Sequence, residues 1–175
     1  MLTIIEEGRL HAAAIEALLD RGFGADRRRK RSYFYRRGIP RVPGLCLVAI
    51  ADGKLAGSIR YWPIVIGEER EPALLLGPLA VDPAHRSLGI GTRLMQESLI
   101  RAAALDHRVV LLVGDPGFYE RFGFTPAVGH GIAMPGESPQ RLMCRPLVVG
   151  GLEGVTGDVQ PWRSLRGRRL TAAAA

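Results

Sequence analysis

The stretch from Ala73 to Val113 constrains the fold more than any other part of the chain. Its first run, Ala73 to Val81 (ALLLGPLAV), is apolar on both faces, as suits a central strand covered from both sides. Gly77-Pro78 interrupts the run: proline lacks the amide a ladder needs and glycine permits a bend, so a β-bulge is expected there. Gly89 to Leu105 carries Ile90, Leu94, Leu99 and Ala103 near helical spacing, and the wholly apolar Val109 to Val113 follows as a second buried strand. Strand, helix and strand in this order form a right-handed crossover, which predicts that the two strands are parallel and close.

The crossover turns on a glycine-rich segment, Arg86-Ser87-Leu88-Gly89-Ile90-Gly91-Thr92, which opens the helix shortly after the first strand ends at Val81. The unpaired amides of a helix's first turn, and its positive dipole end, favour an anion such as a diphosphate. Gly89 and Gly91 let backbone approach phosphate closely, while Arg86 and Thr92 add a charge and a hydroxyl. The same glycines also suffice for a tight strand-to-helix turn, so the residues alone leave both readings open. Two other glycine loops fit less well: a Walker loop requires a lysine that is absent, and a Rossmann turn requires a small residue where Leu94 stands.

Around this unit, Leu2 to Ile5 reads as a strand and Arg9 to Leu19 as an amphipathic helix with Leu10, Ala14, Ile15 and Leu18 on one face. The basic stretch Arg27 to Arg37 reads as a second short helix, with Tyr33, Phe34 and Tyr35 packed inward and its arginines facing water. Leu45 to Ala51, the Asp52-Gly53 turn and Leu55 to Ile66 predict a β-hairpin, and Pro63 predicts a bulge or an edge position. Asp115-Pro116 looks like an N-cap with proline at the first helical position, opening a short helix to about Phe122. Phe124 to Val128 and Leu142 to Val149 are the remaining expected strands, with a Gly/Pro-rich loop between them.

A chain of 175 residues suits one domain with its own core, and no linker divides it. From position 159 onward an irregular basic tail is expected. Cys46 and Cys144 lie in apolar runs without metal-ligand spacing, so reduced, buried thiols and no metal are expected. No export leader or membrane-length apolar run is visible, which points to a cytoplasmic protein. The net charge of +7 is local: seven basic residues lie in Arg27 to Arg37 and four in Arg163 to Arg169. Without those eleven, 13 basic residues face 17 acidic ones, so a nucleic-acid partner is disfavoured.

With these residues in view, the sequence resembles the GNAT superfamily of N-acetyltransferases. Arg86-Ser-Leu-Gly89-Ile-Gly91 meets the signature Arg/Gln-x-x-Gly-x-Gly/Ala in full. Leu79-Ala80-Val81 precedes it as the superfamily's Leu-x-Val strand end, and Phe118-Tyr119-Glu-Arg-Phe122-Gly123-Phe124 follows as its Tyr-x-x-x-Gly-Phe segment. Further likeness to the YhbS-like branch runs through Leu75 to Val81, Leu112 to Pro116 and Leu152 to Gly157, so that nearly the whole chain is covered.

The resemblance implies an α/β fold of the α+β kind: a mostly antiparallel mixed sheet, splayed at one parallel strand pair and flanked by helices. It implies acetyl-CoA as acyl donor, transfer to a small-molecule or peptide amine, and a homodimer as an allowed assembly. Cofactor contacts fall on Leu79, Ala80 and Val81, whose backbone would bind the pantetheine arm like an added strand and supply an oxyanion donor, and on Arg86 through Thr92. Tyr119 matches the superfamily's general-acid tyrosine; packing under Phe122 and Phe124 is its simpler role. No residue clearly serves as base: Asp82 reads as a turn former, Asp115 as an N-cap, and Glu120 points away from Tyr119, while His85 and His107 read as structural. The chain also lacks the asparagine that many members carry after the penultimate core strand. The acceptor pocket is expected from the first two helices, the hairpin and the Gly129 to Gln140 loop, with Tyr33, Tyr35 and Trp62 as possible lining. A silent acyl-CoA-binding regulatory domain and an acetyltransferase docking on RNA through Arg27 to Arg37 are the competing readings.

Overall fold

In the computed structural model, which describes residues 1–162, the chain builds one mixed sheet with helices on both faces. The strands are β1 (Leu2–Glu6), β2 (Leu47–Ala51), β3 (Lys54–Ile66), β4 (Glu71–Val81), β5 (Val109–Val113), β6 (Thr125–Pro126), β7 (Ile132–Ala133), β8 (Leu142–Pro146) and β9 (Gly157–Pro161). Their order is β1-β2-β3-β4-β5-β8-β6, with β9 joined to the far end of β3 and β7 to β9. Helix α1 spans Ala12–Phe23, α2 spans Ile90–Ala104 and the single-turn α3 spans Pro116–Tyr119.

The predicted crossover is present. β4 and β5 are parallel, but only Leu74↔Val110 and Leu75↔Leu111 pair before the strands part. Each then keeps its other neighbour, β4 pairing with β3 as far as Val81 and β5 with β8 throughout. The bulge causes a change of face. Tyr61 opposes Leu76 and Ile59 opposes Leu79, so Gly77 and Pro78 together face the single residue Arg60. One extra residue inverts the in-out alternation. Leu74 and Leu76 pack with α2 before it, and Leu79 and Val81 lean to that same side after it, while Ala80 turns to α1.

Most buried apolar surface lies between the sheet and α2, where Tyr61, Leu74, Leu94, Met95 and Leu112 meet. A smaller cluster of Ile15, Leu18, Leu19, Val48 and Ala80 packs under α1. Gly57 sets how closely α2 approaches: a side chain there would begin 2.8 Å from Ile90 Cγ2 and 3.0 Å from Leu94 Cδ1. Inside the larger cluster the buried Tyr61 hydroxyl shares a 2.8 Å hydrogen bond with Ser98.

Several expectations need correction. Leu10 is 97% exposed, because Arg9–His11 forms a 3-10 turn and the helix begins only at Ala12. Arg27 to Arg37 is not an α-helix but two 3-10 turns, Ala25–Arg29 and Arg31–Tyr33, and its charges do not all face water. Arg27 is buried: it bonds Glu16, Asp20 at 2.7 Å and the Tyr33 hydroxyl at 2.9 Å. Glu16 also accepts from Arg60, which binds the buried Glu7 at 2.7 and 2.8 Å. This network ties the basic segment to α1 and the sheet. Phe34, expected inward, is 48% exposed.

Pro63 occupies an edge rather than a bulge. It pairs with Leu74 on one side, and on the other it falls between Ile59, opposite the first residue of β2, and Ile64, opposite the last residue of β9. The expected strand Phe124 to Val128 shortens to Thr125–Pro126, then turns at Ala127–His130. β7 was not foreseen, and β9 occupies the start of the segment expected to be an irregular tail; residues 163–175 lie outside the described residues.

Candidate active site

Where β4 and β5 separate, a cavity of about 730 Å³ opens across the sheet to the start of α2. It is lined by Leu76 to Leu79 and Val81 of β4, by Val113 at the end of β5, and by Gly89, Gly91 and Thr92. Tyr119 and Phe118 of α3 form one wall; Tyr33, Arg36 and Glu137 lie among the lining residues contributed by the basic segment and the 129–140 loop.

The glycine turn is built as its sequence requires. Asp82 caps a 3-10 helix over Pro83–Leu88 by accepting from the Ala84 amide at 3.0 Å, and Arg21 braces it at 3.0 Å. Gly89 then adopts φ +65° and becomes the N-cap of α2, a conformation that glycine reaches without strain. The first bond of α2 runs from the Arg93 amide to the Gly89 carbonyl at 3.0 Å. The amides of Ile90, Gly91 and Thr92 therefore have no intrahelical partner. Nothing stands within 4 Å of the position a Gly89 side chain would take. The start of a four-turn helix thus presents free donors and a positive dipole end to open space beside the cavity.

Of the residues expected to bind cofactor, Leu79, Val81, Arg86, Gly89, Gly91 and Thr92 line this one cavity. Ala80, Ser87, Leu88 and Ile90 do not. Ala80 faces α1, Ile90 is fully buried against the main core, and Leu88 is 56% exposed on the outer side of the turn.

Asp115 caps α3 through the Gly117 amide at 3.1 Å with Pro116 at the first position, as expected. The Tyr119 ring lies directly on Gly114, where a side chain would begin 2.8 Å from Tyr119 Cδ2 and nearer still to Cε2. Phe118 meets that ring edge-on at 4.9 Å and Phe124 at 6.1 Å. Burial raises the Tyr119 hydroxyl above the usual phenol range, so it stays protonated at neutral pH. The side chain packs against Phe124, as the packing role expected, and against Phe118, and it lines the cavity.

Arg36 and Glu137 were not singled out by the sequence. The Arg36 guanidinium lies 5.2 Å over the Trp62 ring and 5.9 Å from that of Tyr33, and its Nη2 stands 3.3 Å from where a Gly77 side chain would begin. Its Nε is buried without a hydrogen-bond partner. Burial draws its pKa down to about 10, which leaves it charged at neutral pH. Tyr33 lines the cavity as expected. Tyr35 and Trp62 are buried instead, Tyr35 donating to the Pro135 carbonyl at 3.2 Å and Trp62 underlying Arg36. The thiols take no part: burial pushes Cys46 up to about 11 and raises Cys144 as well.

A parallel pair that splays beside a bulge, with a glycine N-cap at one end of the gap, is the arrangement that the sequence resemblance implies. Comparison with known proteins gives the family. The model of the acetyltransferase (GNAT) domain matches residues 43–126. The uncharacterized N-acetyltransferase YhbS of Escherichia coli K12 is 32% identical over 154 residues, 86% of this chain and 90% of that protein. The crystal structure of the Escherichia coli GNAT family N-acetyltransferase YhbS in complex with CoA covers 94% of this chain and 92% of its own, at 30% identity and a TM-score of 0.79. A GNAT family acetyltransferase from Brucella melitensis in complex with acetyl-CoA covers 94% and 98%, at 25% identity and a TM-score of 0.69. The chain belongs to the GNAT family of N-acetyltransferases. No helix among the described residues is long and apolar enough to cross a membrane.

Proposed function

We propose that the protein transfers an acetyl group from acetyl-CoA to a primary amine by direct attack while both substrates are bound. The observation that carries this reading is the convergence of the β4–β5 gap, the α2 N-terminus and Tyr119 on one cavity. Similarity to proteins whose structures contain CoA and acetyl-CoA supports the donor.

In this reading the free amides of Ile90, Gly91 and Thr92, with Arg86, hold the diphosphate. The unpaired edge of Leu79 to Val81 receives the pantetheine arm as an added strand. Pro78 has no amide to give, so the Leu79 amide is the first donor after the bulge that can polarise the thioester carbonyl. As the amine nitrogen bonds to the carbonyl carbon, the carbon–sulfur bond breaks and Tyr119 gives its proton to the departing sulfur. The proton lost by the amine restores the phenol through solvent. A phenol held protonated by burial is suited to this role.

The test is thiol release from acetyl-CoA across amines, amino acids, aminoglycosides and peptide N-termini. Tyr119→Phe is expected to lower kcat by about 100-fold or more while CoA affinity is retained. Binding of CoA without thiol release from any acceptor would identify a sensing domain instead.

A further inference from the structure

Two of the residues lining the cavity, Arg36 and Glu137, carry opposite charges and do not pair with each other. Arg36 makes no ion pair among the described residues, and its guanidinium lies over the Trp62 and Tyr33 rings and beside the glycine of the bulge. Glu137 lines the same cavity from the 129–140 loop, half-buried, and also has no ion pair among the described residues. The two are close enough for Glu137 to favour the charged form of Arg36, yet more than the 4.0 Å ion-pair distance apart. The contrast with the rest of the basic segment is informative. Arg27, buried in the same segment, is matched by Glu16 and Asp20, so this chain supplies carboxylates to a buried arginine where the fold needs them. At Arg36 no carboxylate among the described residues comes within ion-pair distance, and Glu137 acts on it only from farther away.

Arg36 is half-buried with an unpartnered Nε, so it gains from a closer counter-charge, and its planar fork is shaped for a carboxylate. A nearby carboxylate left without a cation is shaped for an ammonium. Resting on the acetyltransferase reading above, we infer that the acceptor is an amino acid or a similarly short amino-carboxylate. Its carboxylate pairs with Arg36, which stands beside the bulge, and its ammonium faces Glu137 across the same cavity. Trp62 and Tyr33 hold the guanidinium flat and fix the direction of its fork. The single bound zwitterion satisfies both charges.

The experiment titrates the CoA-loaded full-length protein by calorimetry with four ligand sets: free amino acids, their amides, their decarboxylated amines, and aminoalkyl phosphates of matched length. Acetyl transfer to the same compounds is then followed. The best amino acid is expected to bind the CoA complex at least about 10- to 100-fold more tightly than its amide or decarboxylated amine. Arg36→Gln removes that preference while CoA affinity is unchanged, Arg36→Lys restores part of it, and Glu137→Gln weakens binding of the amino acids. Equal affinity for amino acid and amide, a preference for the phosphates, or an Arg36→Gln protein that still selects the carboxylate would each overturn the inference. Because binding is measured on the CoA complex, amino-acid selectivity without turnover would refute the transfer reading alone, whereas turnover of neutral amines only would refute this inference alone.

Discussion

Replacing Gly114 by alanine disturbs the proposed acid without touching it chemically. The new methyl would begin 2.8 Å from Tyr119 Cδ2, closer to Cε2, and 3.2 Å from Leu112 Cδ1. Carbon atoms rest about 3.5 to 4.0 Å apart, so the ring must retreat by about 1 Å. Phe118 and Phe124 stand against that ring, and Leu112 is in the core beneath, so the hydroxyl moves with it. A displacement of that size in a reacting group costs on the order of 100-fold in rate. Gly114→Ala is therefore expected to lower kcat by about 100-fold in a thiol-release assay, with the CoA dissociation constant within about 2-fold of the parent protein. Combined with Tyr119→Phe, it should add almost nothing, because both changes remove one function. A Gly114→Ala enzyme with full kcat, or a double variant whose losses multiply, would refute the assignment of Tyr119 as proton donor.

Other consequences are open to test. Gly57→Ala pushes on Ile90 and Leu94, so it should destabilise the fold by about 1–3 kcal/mol in chemical denaturation and weaken CoA binding by displacing the start of α2. Glu16 ties stability to pH. Burial alone would raise its pKa, but hydrogen bonds from Arg60, Arg27 and Arg28 outweigh that and hold it at about 2 against an ordinary 4.5. The unfolded chain thus takes up the proton first, and stability present above pH 4.5 is lost as pH falls towards 2. With about a third of the side chain in solvent, the loss should be only about 1–2 kcal/mol, visible as a falling denaturation midpoint across that window. Glu16→Gln should abolish this part of the pH dependence and cost about 2–4 kcal/mol near neutrality, since Arg27 and Arg60 lose a shared partner.

The crossover was legible because its signals are local and redundant. Two apolar runs bracket a helix-period segment, and Gly77-Pro78 marks the bulge from both its missing amide and its flexible φ. The bulge's effect on facing was not legible, because the inversion that turns Ala80 to α1 and Leu79 and Val81 toward α2 depends on register with β3. The basic segment misled for a related reason. An arginine-rich run reads as a solvated helix face, yet Arg27 is buried by Glu16 and Asp20, which lie 11 and 7 residues earlier. Arg36 and Glu137 meet only because the segment before β2 and the loop before β8 fold over the same end of the gap. Nothing in local spacing announces that meeting. β9 was missed because Gly157–Pro161 has no apolar alternation long enough to read, and its pairing with β3 is fixed by tertiary contact.

Calorimetric titration of CoA into Gly89→Glu tests whether the start of α2 holds the diphosphate of CoA. The space beyond Gly89 is open, so the side chain fits, although its φ of +65° costs about 1–2 kcal/mol for an L-residue. Gly89→Asn, which tolerates that conformation without adding charge, controls for the backbone cost. Binding is expected to vanish in the glutamate variant and to persist in the asparagine variant, with both proteins folded. A Gly89→Glu protein that binds CoA as tightly as the parent would rule out the start of α2 as the diphosphate site.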